Sequence, residues 1–405
     1  MVKRNPHIIK LNAGYLFPEV NKRKRAYLEK NPNAKLISLG IGDTTEPLYP
    51  HMTQSLVKAA QDLGTAQGYS GYGSEQGNLL LRNQIASKLY QNTVSSDEIF
   101  VSDGAKCDIG RLQILFGSHT TIAVQNPSYP AYVDTSVILG QTGEYNLEQG
   151  NYRGIVYLPC DPKNNFFPDL SSAPRTDLIY FCSPNNPTGA VSTREQLTAL
   201  VNFAKKNRSI LIFDAAYAVY IQDPEIPKSI YEIPGAREVA IELGSFSKMS
   251  GYTGVRLGWS IVPEELKYED GSSVKTDWSR IVSTFFNGAS NIAQIGGIGV
   301  LDDQGHPEMM KMVNFYLENA QILKNTFLEM GYEVYGGDHS PYLWVKFPGL
   351  KSWDAFEYLL EHAEIVTTPG SGFGAEGEGF IRLSAYGHRS TILEAVQRFK
   401  SVGVH

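Results

Sequence analysis

The sequence predicts an α/β protein, with a large lobe on a mostly parallel sheet and a smaller α+β lobe after it. From about residue 46 to 290, apolar runs of strand length alternate with longer stretches of helical periodicity, as strand–helix–strand crossovers require. The pattern then changes to one long helix, two strand-like pieces, and a helix–strand–helix ending. At 405 residues the chain also exceeds what one hydrophobic core usually serves. The expected division is 46–295 for the large lobe, with 1–45 and 296–405 forming an N-terminal arm and the small lobe.

Taken in order, Pro18–Lys30 has helical character and stops before Asn31-Pro32, because the residue before a proline avoids the helical region. Leu36–Gly40 reads as a short strand entering the glycine turn Gly40-Ile41-Gly42-Asp43. Large-lobe strands are expected at Ile99–Ser102, Thr121–Val124, Asp177–Cys182, Ser209–Phe213 and Glu238–Leu243. Leu197, Leu200, Val201 and Ala204 recur at helical spacing between Thr193 and Asn207. The long helix runs from about His306 to Met330, with Gly331 as its stop. Strands at Tyr332–Tyr335 and Tyr342–Phe347, a helix near Trp353–His362, a strand at Phe380–Ser384 and a last helix follow.

Composition excludes several classes. Hydrophobic residues make up 42% and charged residues 19%, and the net charge is -6, which gives no reason to expect a nucleic-acid partner. The one basic run, Lys22–Arg25, reads as a solvated helix face. Three cysteines without a CxxC pair argue against a disulfide framework or a zinc site, and no metal is expected. With neither a signal-peptide pattern nor a run of ~18 apolar residues, a cytoplasmic protein off the membrane is expected.

Chemistry concentrates at the ends of the expected strands. Ser245-Phe246-Ser247-Lys248, with Gly251 and Arg256 after it, combines hydroxyls and a two-pronged cation that suit a phosphate monoester. Burial beside a cation would also deprotonate the lysine, the state an amine needs to attack a carbonyl. Asp214, at the end of a buried strand in Ile212–Tyr217, requires a cation or donors. Asn186 is presented from the stiff loop Cys182–Gly189. Asp103-Gly104-Ala105-Lys106 can offer backbone N–H groups to an anion, and Asn126–Pro130 can place the Tyr129 ring against a flat ligand. Arg382, mid-strand among apolar residues, implies a carboxylate partner from the protein or a ligand. Each stretch alone is common, whereas their order along one lobe is specific.

That order resembles the fold-type I, pyridoxal-phosphate-dependent aminotransferases of class I/II over nearly the whole chain. Within them the resemblance is strongest to the branch acting on LL-diaminopimelate. It is carried also by Asn5-Pro6-His7, Tyr15-Leu16-Phe17, Gly42–Thr45, Gly71-Tyr72-Gly73, Asn126–Tyr132 and Phe286–Ser290. The resemblance implies pyridoxal 5'-phosphate held as a Schiff base on Lys248, which also shuttles the proton. It implies Asp214 as partner of the ring nitrogen, Asn186 and Tyr217 as donors to the 3-hydroxyl oxygen, and Tyr129 as the stacking ring. Ala105, Lys106, Ser245, Ser247 and Arg256 would hold the phosphate, helped by Tyr72 from the second subunit of a homodimer. Asn287 would also touch the cofactor. Arg382 with Asn186 would clamp the substrate α-carboxylate. Tyr15, Gly42, Lys106, Tyr129, Glu75 and Asn287 would complete the substrate site, the last two from the partner, with Glu75 facing the distal ammonium. The implied reaction is reversible transamination between LL-diaminopimelate with 2-oxoglutarate and tetrahydrodipicolinate with glutamate, in lysine and peptidoglycan-precursor synthesis. The alternative is an alanine or aromatic amino-acid aminotransferase of the same family. A regulator without turnover would need an added DNA-binding module, for which two full lobes leave no room.

Overall fold

The computed structural model describes residues 1–11 and 16–402. Seven strands form the large-lobe sheet: β1 (Ile99–Ser102), β2 (Ile122–Asn126), β3 (Ile155–Pro159), β4 (Leu178–Cys182), β5 (Ile210–Asp214), β6 (Ala240–Ser245) and β7 (Gly258–Ile261). Their order is β1-β7-β6-β5-β4-β2-β3. Every pair from β6 to β3 is parallel, and β7 runs antiparallel to both of its neighbours. β4 is buried at every position and reads as an unbroken apolar run, and β2 is buried throughout as well, with its apolar run Ile122–Val124 followed by Gln125 and Asn126.

Two strands of this sheet escape the sequence reading. β3 is a half-buried edge strand ending in a proline, and β7 opens on glycine with Ser260 inside it. Three of the expected strands also run further than apolar character indicates, to Asn126, Asp214 and Ser245. Their polar last residues belong to the ladder and carry side chains to one edge of the sheet.

The helix Arg194–Asn207 starts on a reciprocal cap, in which Thr193 Oγ1 accepts from the Gln196 backbone N–H and Gln196 Oε1 accepts from the Thr193 N–H. Its four apolar positions are buried as the spacing predicts. The Lys22–Arg25 run is only partly the solvated face expected of it. Arg23 bonds Glu19 and Glu357 and stacks 4.2 Å from the Trp353 ring, tying the helix Leu16–Lys30 to the small lobe.

The small lobe holds an antiparallel sheet of β8 (Val334–Gly336), β9 (Tyr342–Lys346), β10 (Thr368–Pro369) and β11 (Phe380–Ser384), in the order β8-β9-β11-β10. Ile37–Ser38 pairs in parallel with Ile365–Val366, which fastens the beginning of the chain to this lobe. The 25-residue helix Gly305–Glu329 serves both cores. Met309 packs in the large-lobe core, and Leu323 and Phe327 pack in the small-lobe core. Between them Tyr316 packs on Tyr386 in one cluster with Tyr217, Tyr220 and Tyr342. Among the described residues no helix is long and apolar enough to cross a membrane.

Trp278 measures how much the large lobe depends on packing. It is fully buried and donates its indole N–H to Ser260 Oγ at 3.0 Å. Trp278→Ala is expected to lower unfolding free energy by about 3–5 kcal/mol in a urea titration. A loss under about 1 kcal/mol would mean that the lobe closes over the gap.

Candidate active site

The C-terminal ends of β4, β5 and β6 open on a cleft of about 400 Å³, with Arg382, Tyr342 and Gly42 on its other side. Lys248 enters it from the short helix Phe246–Met249, directly after β6. Its amine donates to the Gly42 carbonyl and stands 5.4 Å from the Tyr386 ring. Burial pushes the amine's pKa down to about 8; Asp43 opposes the shift, while Arg382 and Arg256 add to it. Tyr220 anchors the same turn by donating to the Lys248 carbonyl at 2.9 Å.

Asp214 closes β5 and is buried. Its Oδ2 accepts from the Tyr132 hydroxyl at 2.6 Å and its Oδ1 from the Ala216 N–H at 3.0 Å. Burial nevertheless raises its pKa, because these two donors only partly replace water. Among the described residues no cation pairs with it, so the carboxylate faces the cleft with its charge uncompensated.

The opposite charge gathers at the first turn of the helix Ala105–Phe116. Gly104 has φ +123°, and a Cβ on it would lie 2.3 Å from Arg256 Nη2, so only glycine lets the guanidinium approach. Arg256 Nη1 donates to Ser247 Oγ at 3.3 Å and to the Thr253 carbonyl at 3.0 Å. Ser245, Ser247 and Lys106 line the same corner. A helix N-terminus, two hydroxyls and two cations make an anion cup.

Arg382 sits mid-strand in β11 with 1% of its surface exposed. Nη1 donates to Asn186 Oδ1 at 2.7 Å, Nη2 to the Gly40 carbonyl at 2.6 Å, and Nε has no partner. The guanidinium lies 4.4 Å from the Tyr342 ring and 4.9 Å from the Phe373 ring. No carboxylate among the described residues pairs with it, which leaves a ligand as the source of the one its burial demands. Gly42 belongs here for a steric reason, since a Cβ on it would fall 2.1 Å from the Tyr342 hydroxyl.

Ala105, Lys106, Tyr129, Asn186, Asp214, Tyr217, Ser245, Ser247, Lys248, Arg256, Arg382 and Gly42 line one cleft. Tyr72, Glu75 and Asn287 do not line it in the single chain. Tyr72 is 90% exposed, and Glu75 and Asn287 are exposed as well. Gly288 packs against the backbone of Ser74 and Glu75, so the two outlying loops lie side by side. Tyr15 falls outside the described residues. Two contributors went unread: Tyr132, which holds Asp214, and Tyr342, whose hydroxyl is 2.9 Å from that of Tyr217. Tyr132 had a signal in its place within Asn126–Tyr132; Tyr342 had none, being one apolar-strand residue among several.

Residues 34–399 match the family model for aminotransferases of class I and II. The chain belongs to that family. It is 58% identical over 400 residues to the LL-diaminopimelate aminotransferase of Protochlamydia amoebophila (strain UWE25), covering 99% of this chain and 97% of the relative. It is 58% identical over 402 residues to the chloroplastic LL-diaminopimelate aminotransferase of Arabidopsis thaliana, covering 99% of this chain and 87% of the relative. The solved L,L-diaminopimelate aminotransferase of Chlamydomonas reinhardtii superposes with a TM-score of 0.96 at 61% identity, covering 99% of each chain. Aminotransferases of this class use pyridoxal 5'-phosphate, and the cleft fits it on three counts. It offers a buried carboxylate lacking a cation, a cationic cup lacking an anion, and a buried amine with a depressed pKa.

Proposed function

We propose that this aminotransferase moves an amino group between LL-diaminopimelate and 2-oxoglutarate, giving tetrahydrodipicolinate, glutamate and the water released on ring closure, and that it runs toward diaminopimelate in a lysine and peptidoglycan-precursor route. The observation that carries the reading is Arg382, a buried fork without a protein carboxylate, in the cleft of Lys248 and Asp214. The relatives' names supply the substrate.

Pyridoxal 5'-phosphate, when bound, supplies an aldehyde for the amino group and a ring that accepts the electron pair left at the α-carbon. Asp214 would hold the ring nitrogen protonated, kept in place by Tyr132. Tyr217 and Asn186 would donate to the phenolic oxygen, and Tyr129 would cover the ring face. Ala105, Lys106, Ser245, Ser247 and Arg256 would hold the phosphate, with Tyr72 of the partner subunit. The Lys248 amine takes the α-proton at Nζ, for which it must be neutral. Arg382, assisted by Asn186, would fix the α-carboxylate through N–H groups of its fork, among them the Nε–H that has no partner among the described residues. Gly42, Tyr15, and Glu75 and Asn287 of the partner subunit complete the substrate pocket, with Glu75 on the distal ammonium. The lobes 46–295 and the remainder close this pocket between them, in a cytoplasmic homodimer.

A substrate panel tests the reading: LL-diaminopimelate, its meso isomer, aspartate, alanine and aromatic amino acids, each offered with 2-oxoglutarate. Glutamate is expected to form fastest from the LL isomer. Fast turnover of alanine or an aromatic amino acid without the LL isomer would give the alternative specificity instead. Arg382→Lys keeps the charge and loses the fork, so KM for every amino acid in the panel should rise by about tenfold or more. The shared site has its own test. Mixed Tyr72→Ala and Lys248→Ala subunits, each nearly inactive alone, should recover about a quarter of parental activity under exchanging conditions, because complementing heterodimers carry one intact site. No recovery would rule out sites built in trans.

A further inference from the structure

A second cavity of about 160 Å³ lies against the cleft, with Ala216 and Ser245 lining both spaces. Its interior is apolar and aromatic. The Tyr90 and Trp259 rings meet edge to face at 6.5 Å, and Met249 and Met309 are buried beside them. Into this space comes Glu242 of β6, with no exposed surface at all. Its Oε2 accepts from Ser229 Oγ at 2.7 Å and from the Ile230 N–H at 2.8 Å. Its Oε1 has no partner. The Tyr90 hydroxyl, which accepts from Trp259 Nε1 at 2.9 Å, faces the carboxyl and favours its charged form without completing a hydrogen bond to Oε1. Burial outweighs the donors and raises the Glu242 carboxyl to about 7.

A buried acceptor without a donor is costly, and none of the reactions described above uses this one. The rim of the cavity differs from its interior. Lys88 and Lys228 are exposed there and His306 is half-buried. The pKa of His306 is lowered by burial first and then by the two lysines, so its imidazole is neutral above pH 7 and can donate one N–H, while the positive charge at the rim belongs to Lys88 and Lys228. Lys88 also reaches Asp303 at 2.7 Å, on the solvent side.

We propose that this cavity is a second small-molecule site, for a ligand with an apolar body, an ammonium at its inner end on Glu242 Oε1, and a carboxylate at its outer end on the Lys88–Lys228–His306 rim. The apolar body fills the space against Trp259, Met249 and Met309, and the two charges answer an unpaired acceptor within and a cationic rim outside. An occupant touches Ser245 and Ala216 from the side opposite the cleft. The site does not depend on which amino acid the cleft transaminates.

The probe is 4-(dimethylaminomethyl)benzoate, whose tertiary amine cannot condense with an aldehyde, so the holoenzyme is usable. Calorimetry at pH 7.5 is expected to show one site per chain. Glu242→Gln, which keeps an acceptor for Ser229 and Ile230, should weaken binding by about tenfold or more. Lys228→Ala, at an exposed position, should weaken it about two- to fivefold, and N,N-dimethylbenzylamine should be indifferent to that change. Arg382→Lys should have no effect, because the carboxylate is not held in the cleft. No binding up to about 10 mM overturns the proposal, as does binding unchanged by Glu242→Gln or weakened by Arg382→Lys. If Glu242→Gln fails to fold, Lys228→Ala with the two probes decides alone: equal loss for both, or none for either, sinks it.

Discussion

Lys248→Ala is expected to lower kcat by about 10⁴-fold or more while leaving the melting temperature of the cofactor-free protein within a few degrees of the parent. The amine makes one hydrogen bond, to the Gly42 carbonyl, so the fold loses little. The reaction loses the group that takes the α-proton. Its depressed pKa gives a second reading. At pH 7, an amine with pKa about 8 is neutral in about one molecule in ten, against about one in three thousand for an ordinary lysine. Uptake of pyridoxal phosphate by the cofactor-free protein should therefore rise with pH through a midpoint near 8 and flatten above it. A midpoint near 10 would show that position 248 is solvated, and rapid turnover by Lys248→Ala would assign the proton transfer to another group.

Asp214→Asn separates stability from function. Because burial raises the Asp214 pKa, the folded protein holds its proton to a higher pH than the unfolded chain does. The folded state therefore loses stability as pH rises from the unfolded pKa through the folded one, and above the folded pKa it bears the full cost of the buried charge. Removing that charge should leave the cofactor-free protein at least as resistant to urea at pH 7 as the parent. Turnover should fall by about 10²–10³-fold and the cofactor should dissociate faster, since nothing then keeps a ring nitrogen protonated. Near-parental kcat with the fold intact would remove Asp214 from the chemistry; a marked loss of urea resistance would make it a structural residue.

Much of the site was legible because the fold places polar residues at the ends of apolar runs. Asp214 and Ser245 mark where an apolar run stops, and the turn and the short helix after them carry Tyr217 and Lys248. Family resemblance then attached roles that residue order alone does not contain. Tyr132 lay in a family-like stretch but its role stayed hidden, because nothing local distinguishes a tyrosine that bonds a carboxylate 82 residues away from one that fills a core, and Tyr342 gave no signal at all. Edge strand β3 and the antiparallel β7 were invisible for a related reason. Neither is buried on both faces by apolar residues alone, so neither makes the run that marks a strand.

Residue order along the chain was sufficient for the α/β class, the helix between Thr193 and Asn207 and the set of chemical groups available, because each depends on neighbours within a turn or a strand. Folding alone determined that Arg382 in β11 meets Asn186 and Gly40 from distant segments and finds no carboxylate there. It likewise left Glu242 Oε1 unpartnered beside an apolar cavity and kept Tyr72, Glu75 and Asn287 outside the cleft. Such facts depend on which surfaces remain unmatched once two cores close on one helix, and no local pattern encodes a missing partner.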